Sequence, residues 1–292
     1  MKALIYTTIC ILLLSACQRL DSMLFNPYKI TEYLLDDFVD DHYSFFKLDE
    51  SYNIPDSLID VFVLPASEEN DIYALYIGDQ SRIATDTIIL YNHGNTGSMD
   101  TYWQRTKLLA NCGGKNRFGI MTIDYSGYGM SEGTPSEESL YADVDKAMKW
   151  LKDKGLTDDR LIMYGFSMGT APTCELTSKP RTLSPSKIVL EAPFASAEVM
   201  IQDGGQLAIP GSFLTNLEID NGEEIKNVTQ PLLWLHGIED DFVQISHGEV
   251  VYQNHKGEFK EAQRINGAYH STCPQTLGFE NYNQIVLDFI LR

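Results

Sequence analysis

A serine framed by two glycines is the feature of this chain that most directly suggests chemistry. The sequence GFSMG at residues 165–169 follows the apolar run 161–164 and precedes a helical pattern. Glycines two residues either side of a serine allow a strand-to-helix turn so tight that side chains there would collide with backbone. The following helix would point its positive end at a charge formed during acyl transfer. The spacing predicts Ser167 as a nucleophile; an inert serine at a strand end is the alternative.

Two further motifs follow predicted strands. The run 87–91 leads into NHGNTG at residues 92–97, and the run 119–123 leads into DYSGYGMSEG at residues 124–133. Together with the serine motif they resemble the α/β-hydrolase-domain serine hydrolases, which include acyl-protein thioesterase-like and monoacylglycerol-lipase-like members. The resemblance extends from about Tyr43 to the C-terminus. A dinucleotide fingerprint is excluded, because its third glycine would fall at Glu132.

The resemblance implies an oxyanion hole beside the serine. In this family a His-Gly pair shapes the loop after the third strand, and here that pair is His93 and Gly94. The expected donors are the main-chain amides of Asn95 and Met168. Loss of one such donor typically costs about 3 kcal/mol of transition-state stabilisation. His93 could also be read as a base, but a structural role is favoured.

A serine hydroxyl needs an imidazole to accept its proton, and the imidazole needs a carboxylate to fix its tautomer. In this fold the chain order is serine, acid, histidine, and four histidines follow Ser167. The family places its base in a loop after the last strand, which here contains His270. His236 resembles the structural histidine of a His-Gly turn. His247 and His255 fall on a predicted helix and are interpreted as surface residues.

Three consecutive carboxylates compete for the role of acid. They lie in HGIEDDFV at residues 236–243, after the predicted strand 232–235. The family pattern is His-Gly, two intervening residues and then an aspartate, which is Asp240. Glu239 and Asp241 are adjacent rivals, interpreted as solvated because three neighbouring side chains cannot all point inward. Gln244 stands where the family usually has proline.

The elements that would position these residues alternate along the chain. Predicted strands span residues 58–64, 72–77, 87–91, 119–124, 161–164, 187–191, 232–235 and 262–265, and predicted helices span 101–110, 137–152, 169–178 and 282–291. This alternation indicates an α/β protein with an eight-stranded, mostly parallel sheet flanked by helices. The resemblance described above implies that its fold is the α/β-hydrolase fold. The segment 28–46 is interpreted as a preceding helix docked on the domain.

An insertion at residues 196–226, between the sixth and seventh strands, occupies the place where this fold carries its lid. We expect it to form an apolar wall over Ser167, suited to a fatty or other hydrophobic acyl group. The alternative is that its apolar residues only pack the lid on the body. Those residues are Met200, Ile201, Leu207, Ile209, Phe213, Leu214 and Leu217.

The N-terminus is typical of a targeting segment. Residues 1–16 combine Lys2 with an apolar run too short to span a bilayer permanently. The sequence LSAC at residues 14–17 resembles a bacterial lipobox, which implies acylation of Cys17; an ordinary secretory signal is the alternative. Gln18 favours the outer membrane, facing the periplasm. We therefore predict a signal peptide at 1–16, a tether at 17–27 and one domain at 28–292.

Charge and cysteine content exclude several classes. The 292 residues include 22 basic and 41 acidic side chains, giving a net charge of −19. Nucleic acid and anionic bilayer surfaces would be repelled. Outside the predicted signal and anchor, three cysteines remain, Cys112, Cys174 and Cys273, which do not fit a disulfide-stapled scaffold or a zinc site.

These observations predict a monomeric serine hydrolase that cleaves small acyl esters or thioesters through an acyl-enzyme, with no cofactor and no metal. A membrane contact is expected only through the lipid on Cys17. Two alternatives stay open. One is a peptidase of the same fold acting on small peptides, and the other is a non-catalytic envelope lipoprotein.

Overall fold

A computed structural model of the protein describes residues 21, 24–39, 46–64, 70–205 and 214–292. Eight strands form one sheet in this part of the chain. They are β1 (Ile59–Val63), β2 (Tyr73–Ile77), β3 (Ile88–Asn92), β4 (Gly119–Ile123), β5 (Leu161–Phe166), β6 (Lys187–Glu191), β7 (Leu232–Gly237) and β8 (Lys260–Ile265). The predicted set of strands is confirmed, with ends that shift by a few residues.

The sheet order is β8-β7-β6-β5-β3-β4-β2-β1. Only β2 runs against its two neighbours, β1 and β4, and the other described pairs are parallel. The central strands are buried on both faces, which explains their continuous apolar sequences. Because β3 to β8 run the same way, their carboxyl ends and the loops that follow meet at one edge.

Helices cover both faces of the sheet. They are α1 (Met99–Ala110), α2 (Glu137–Asp153), α3 (Thr170–Ser178), α4 (Ala197–Gly205), α5 (Asn221–Glu224), α6 (Ile245–Asn254), α7 (Cys273–Leu277) and α8 (Phe279–Leu291). Side chains of α1, α7 and α8 share one hydrophobic cluster, and those of α2, α3 and α6 share the other. Successive residues of β3 alternate between the clusters: Ile88 belongs to one and Ile89 to the other.

The predicted helix at 28–46 is wrong for the residues that the structure describes. Residues 28–39 contain only a single 3-10 turn, Leu35–Asp37, and residues 40–45 lie outside the described part. The backbone N–H groups of Leu34 and Leu35 donate to the carboxylate of Asp100. They therefore do not form the hydrogen bonds of an α-helix. The apolar residues at 28–39 therefore belong to an irregular segment, not to an α-helix.

The predicted tether also differs from the structure where it can be described. Leu24 is only 5% exposed, and Asn26–Pro27 pairs in parallel with Thr96–Gly97. This part of the segment is packed on the domain instead of extending from it. The predicted signal peptide and Cys17 lie outside the described residues.

In the predicted lid, the structure describes α4, residues 214–220 and α5, while Leu207, Ile209 and Phe213 lie outside the described residues. Cys112, Cys174 and Cys273 are buried free thiols. None of the described helices is long and apolar enough to cross a membrane.

Candidate active site

The tight turn predicted around Ser167 is present at the end of β5. Ser167 has a φ of 52°, a left-handed conformation that non-glycine residues rarely adopt. A Cβ atom at Gly169 would lie 2.0 Å from the carbonyl oxygen of Asn92, and one at Gly165 would lie 2.5 Å from the carbonyl oxygen of Gly169. Both glycines are therefore required by the close approach of neighbouring backbone. A 3-10 turn, Ser167–Gly169, then leads into α3.

The structure brings the three predicted triad residues together, although they are distant in sequence. The Nε2 atom of His270 lies 3.0 Å from the Oγ atom of Ser167. On the other side of the ring, Nδ1 lies 2.8 Å from the Oδ2 atom of Asp240. A carboxylate can only accept at this contact, so Nδ1 carries the proton and Nε2 is left to accept the serine proton.

The local backbone resolves the competition among the three carboxylates. Asp240 is buried, and its Oδ1 atom accepts hydrogen bonds from the N–H groups of Phe242 and Val243 at 3.0 and 2.8 Å. Glu239 and Asp241 are exposed. Of the three, Asp240 contacts the imidazole of His270, and the turn beyond β7 holds it in that orientation.

A second histidine contacts the same carboxylate. The Nδ1 atom of His236 accepts from the indole N–H of Trp234, so Nε2 carries the proton and lies 3.3 Å from Asp240 Oδ2. Burial acts to raise the pKa of Asp240, but the hydrogen bonds from His236 and His270 outweigh it and hold this pKa well below its usual range. Asp240 is therefore ionised at neutral pH.

The loop after β3 lies beside Ser167. The carbonyl oxygen of Asn95 accepts hydrogen bonds from the hydroxyl of Tyr128 and from the N–H of Asn26, at 2.9 and 3.1 Å. Asn95 and Met168, the two expected oxyanion donors, both line the cavity that contains Ser167. Tyr128 also reaches the sulfur of Met168, at 3.9 Å, so one tyrosine contacts both residues.

His93 has the surroundings of a structural residue. Its ring is fully buried between tyrosines, including Tyr102 and Tyr125, with ring centroids 4.9 and 4.3 Å away. Nδ1 lies 2.8 Å from the Gly94 carbonyl oxygen, and Nε2 lies 3.4 Å from the carboxylate of Asp124. These contacts fix the shape of the loop that carries Asn95.

A buried ion pair, which sequence reasoning missed, connects the turn at Ser167 to the loop that carries His270. The guanidinium of Arg105 lies 3.0 Å from the carboxylate of Glu191 and donates to the carbonyl oxygen of Ser271 at 2.6 Å. It also stacks 4.2 Å above the ring of Phe166, which in turn packs 5.2 Å from the ring of His270. Arg105 therefore contacts the residue before the serine and the residue after the histidine.

Glu191 is held by more than the arginine. Its Oε2 atom also accepts from the hydroxyls of Tyr164 and Tyr282, at 2.7 and 2.9 Å. Burial acts to lower the pKa of Arg105, but the negative charge of Glu191 outweighs it and holds this pKa above its usual range. The sequence offered two signals of this pair. Arg105 is a charged residue among the apolar positions of α1, and Glu191 is a carboxylate at the end of a buried strand. Neither one identifies its partner.

The interpretation of His247 and His255 as surface residues is wrong. They are only 3% and 2% exposed, and burial lowers the pKa of both. His247 accepts from the N–H of Ala195 and lies 3.2 Å from the carboxylate of Asp203 on α4. Helical spacing shows which positions share a face, but a polar side chain with fixed partners can lie on the buried face as well.

A cavity of about 270 Å³ opens beside Ser167. Met200 and Ile201 of α4 line it, as expected for the lid, whereas Leu214 and Leu217 pack against the core. Polar groups are also present in the lining, including Asp203 and His247. The apolar residues that line it are Leu24, Met168, Phe194, Met200, Ile201, Phe242 and Val243.

The sheet order, the turn at Ser167 and the loop after β3 define a member of the α/β-hydrolase fold family, to which this chain belongs. The alpha/beta hydrolase fold family matches the chain over residues 87–195. That stretch runs from the start of β3 to just before the lid.

Among its relatives is alpha/beta hydrolase domain-containing protein 17C. The mouse protein is 30% identical over 201 residues, which are 67% of this chain and 57% of the relative. The Xenopus tropicalis protein is 34% identical over 171 residues, 56% of this chain and 50% of the relative. The chain thus spans only a little over half the length of these relatives.

Solved structures share the fold. A Pyrococcus furiosus esterase is 16% identical with a TM-score of 0.68, and the match covers 92% of this chain and 98% of that one. Est1E of Butyrivibrio proteoclasticus, solved with ferulic acid bound, is 16% identical with a TM-score of 0.63, covering 79% and 98%. At these identities the likeness establishes the fold alone.

The lowered pKa of Asp240 predicts a pH-dependent contribution to stability. Because its folded-state pKa lies below the ordinary value, the carboxylate stabilises the fold above about pH 4, and this contribution is lost as the pH falls through the folded-state pKa. We expect Asp240→Asn to lower the free energy of unfolding by roughly 1–3 kcal/mol at neutral pH. Urea unfolding should show a deficit that is constant down to about pH 4 and narrows between about pH 4 and pH 2.

Asp241→Asn is the matched control, since its side chain is exposed. It should leave the unfolding free energy close to wild type at every pH. An Asp240→Asn deficit that stayed constant across this pH range would contradict the prediction.

Proposed function

We propose that this protein is a serine hydrolase that cleaves carboxylic ester or thioester bonds. The observation that carries the proposal is the continuous hydrogen-bonded chain from Ser167 Oγ through His270 to Asp240, with spacings of 3.0 and 2.8 Å. A hydroxyl is a weak nucleophile at neutral pH, and this arrangement supplies the base that activates it. The esterases among the structural neighbours are consistent with the same chemistry.

The proposed reaction begins when His270 Nε2 takes the proton of Ser167 as Oγ attacks the substrate carbonyl carbon. Asp240 stabilises the resulting imidazolium and stays ionised. The oxyanion would be received by the main-chain N–H groups of Asn95 and Met168. His270 then gives its proton to the departing alkoxide or thiolate, leaving an acyl ester on Ser167.

Water completes the cycle. His270 deprotonates a water molecule, the hydroxide attacks the acyl carbon, and the proton returns to Ser167 Oγ as the acid departs. Met168 is the residue that follows the nucleophile, and α3 begins just beyond it. The positive end of that helix favours the negative charge of both tetrahedral intermediates.

The first test is Ser167→Ala, which removes only the nucleophilic oxygen. Turnover of p-nitrophenyl esters should fall on the order of a millionfold, and labelling by a fluorophosphonate probe should disappear. The unfolding transition should remain cooperative. Ser57→Ala, at an exposed serine before β1, should retain full activity and labelling. Labelling that survives in Ser167→Ala would refute the assignment.

We propose a hydrophobic acyl group as the natural substrate, because seven apolar side chains line the cavity beside Ser167. Each buried methylene contributes roughly 0.8 kcal/mol. The kcat/KM of the wild type should therefore rise at least about tenfold from p-nitrophenyl acetate to octanoate. No preference beyond acetate would exclude an acyl pocket.

A pair of neighbouring substitutions on α4 tests which side chains form the wall. Met200 lines the cavity, whereas Val199 is 41% exposed on the same helix. Met200→Ser should reduce the octanoate preference several-fold, and Val199→Ser should leave it unchanged. Equal effects of the two substitutions would indicate general disturbance of the helix instead of a specific wall.

We further propose attachment to the cell envelope through a lipid on Cys17, with the outer membrane favoured, on the strength of the LSAC sequence and the apolar run before it. In a bacterial host the wild type should sediment with membranes, and Cys17→Ser should abolish that association. Cys10→Ser, within the predicted signal, is the matched control and should still sediment. Membrane association that persists in Cys17→Ser would refute the anchor.

A further inference from the structure

The segment before the first strand is attached to the loop that carries Asn95. Asn26–Pro27 pairs in parallel with Thr96–Gly97. The N–H of Asn26 lies 3.1 Å from the Asn95 carbonyl oxygen and 3.1 Å from the hydroxyl of Tyr128. We call Asp21 and residues 24–35 the N-terminal arm. The arm is therefore hydrogen-bonded to the loop that carries Asn95.

The same arm is also attached to the lid, that is, to the cap formed by residues 196–226. The Oδ1 atom of Asp21 accepts from the hydroxyl of Thr215 at 2.5 Å and from the N–H of Asn216 at 3.1 Å. Both acceptor contacts are made by one carboxylate oxygen. The arm therefore bridges the cap and the loop after β3.

Leu24 lies between these two attachments. It is 5% exposed, it belongs to the same hydrophobic cluster as Met168 and Phe194, and it lines the cavity that contains Ser167. Attachments on both sides limit how far this side chain can move. A fixed apolar side chain in a cavity wall limits the length and width of the group that the cavity accepts.

From these contacts we infer that the N-terminal arm is a working part of the active site, in which Leu24 determines the size of the acyl group accepted. The inference rests on the proposed serine hydrolase function and deepens it. Leu24 is a specificity-determining residue for the acyl group, and Asp21 and Asn26 are positioning residues that hold it in place.

The experiment uses two alkylphosphonofluoridates, one with a methyl and one with an octyl group on phosphorus. Ser167 Oγ bonds to phosphorus as fluoride leaves, and the serine proton passes to His270, so the alkyl group occupies the acyl position. The measured quantity is the ratio of the octyl to the methyl labelling rate, which cancels any change in nucleophile reactivity common to both probes.

Leu24→Trp should lower this ratio about tenfold, because the indole fills part of the cavity. Leu24→Ala should raise it, because the wall recedes. Val39→Ala, at an 80% exposed residue just beyond the arm, should leave the ratio unchanged. If Leu24 limits the size of the acyl group, the larger and the smaller side chain should shift the labelling ratio in opposite directions. General loosening of the arm would instead shift the ratio of both variants in the same direction.

Two results would overturn the inference alone. The first is a labelling ratio in both Leu24 variants that equals the ratio of Val39→Ala. The second is a change of the ratio in the same direction in both Leu24 variants. In each case the labelling must still require Ser167. If neither probe labels Ser167 in the wild type, the proposed function fails and the inference falls with it.

Discussion

The left-handed backbone of Ser167 is the constraint on which the rest of the site depends. A non-glycine residue with a φ of 52° is strained, and it persists only where its surroundings leave no alternative. Here β5 is fixed between β3 and β6, and the backbone of Asn92 approaches Gly169 so closely that no side chain would fit. The serine oxygen is thereby held at the sheet edge where the histidine loop can reach it.

The imidazole must then be held within hydrogen-bonding distance of that oxygen. Two buried sets of contacts do this. Asp240, aided by His236, fixes the tautomer of His270. The guanidinium of Arg105 contacts both Phe166 and the Ser271 carbonyl. A buried ion pair is weak support for stability by itself, but one that joins the turn at Ser167 to the loop of His270 restricts their relative movement.

The cavity beside the serine is assembled from segments that are far apart in the chain. The cap contributes Met200 and Ile201, the turn beyond β7 contributes Phe242 and Val243, and the N-terminal arm contributes Leu24. The arm accepts a hydrogen bond from the cap and donates one to the loop after β3, so these segments are held together beside the cavity.

The sequence alone determined the strands of the sheet, and it singled out Ser167, Asp240 and His270 as the residues to expect at one edge. Strand periodicity and glycine spacing are local properties that can be read from short segments. Parallel strands of one sheet have their carboxyl ends at the same edge, so residues that follow these strands are expected there. Only the tertiary structure showed that Arg105 pairs with Glu191, that His247 and His255 are buried, and that Leu24 lines the cavity. Those outcomes depend on contacts between segments distant in sequence, and no local pattern encodes which partner a buried charge or an isolated leucine will meet.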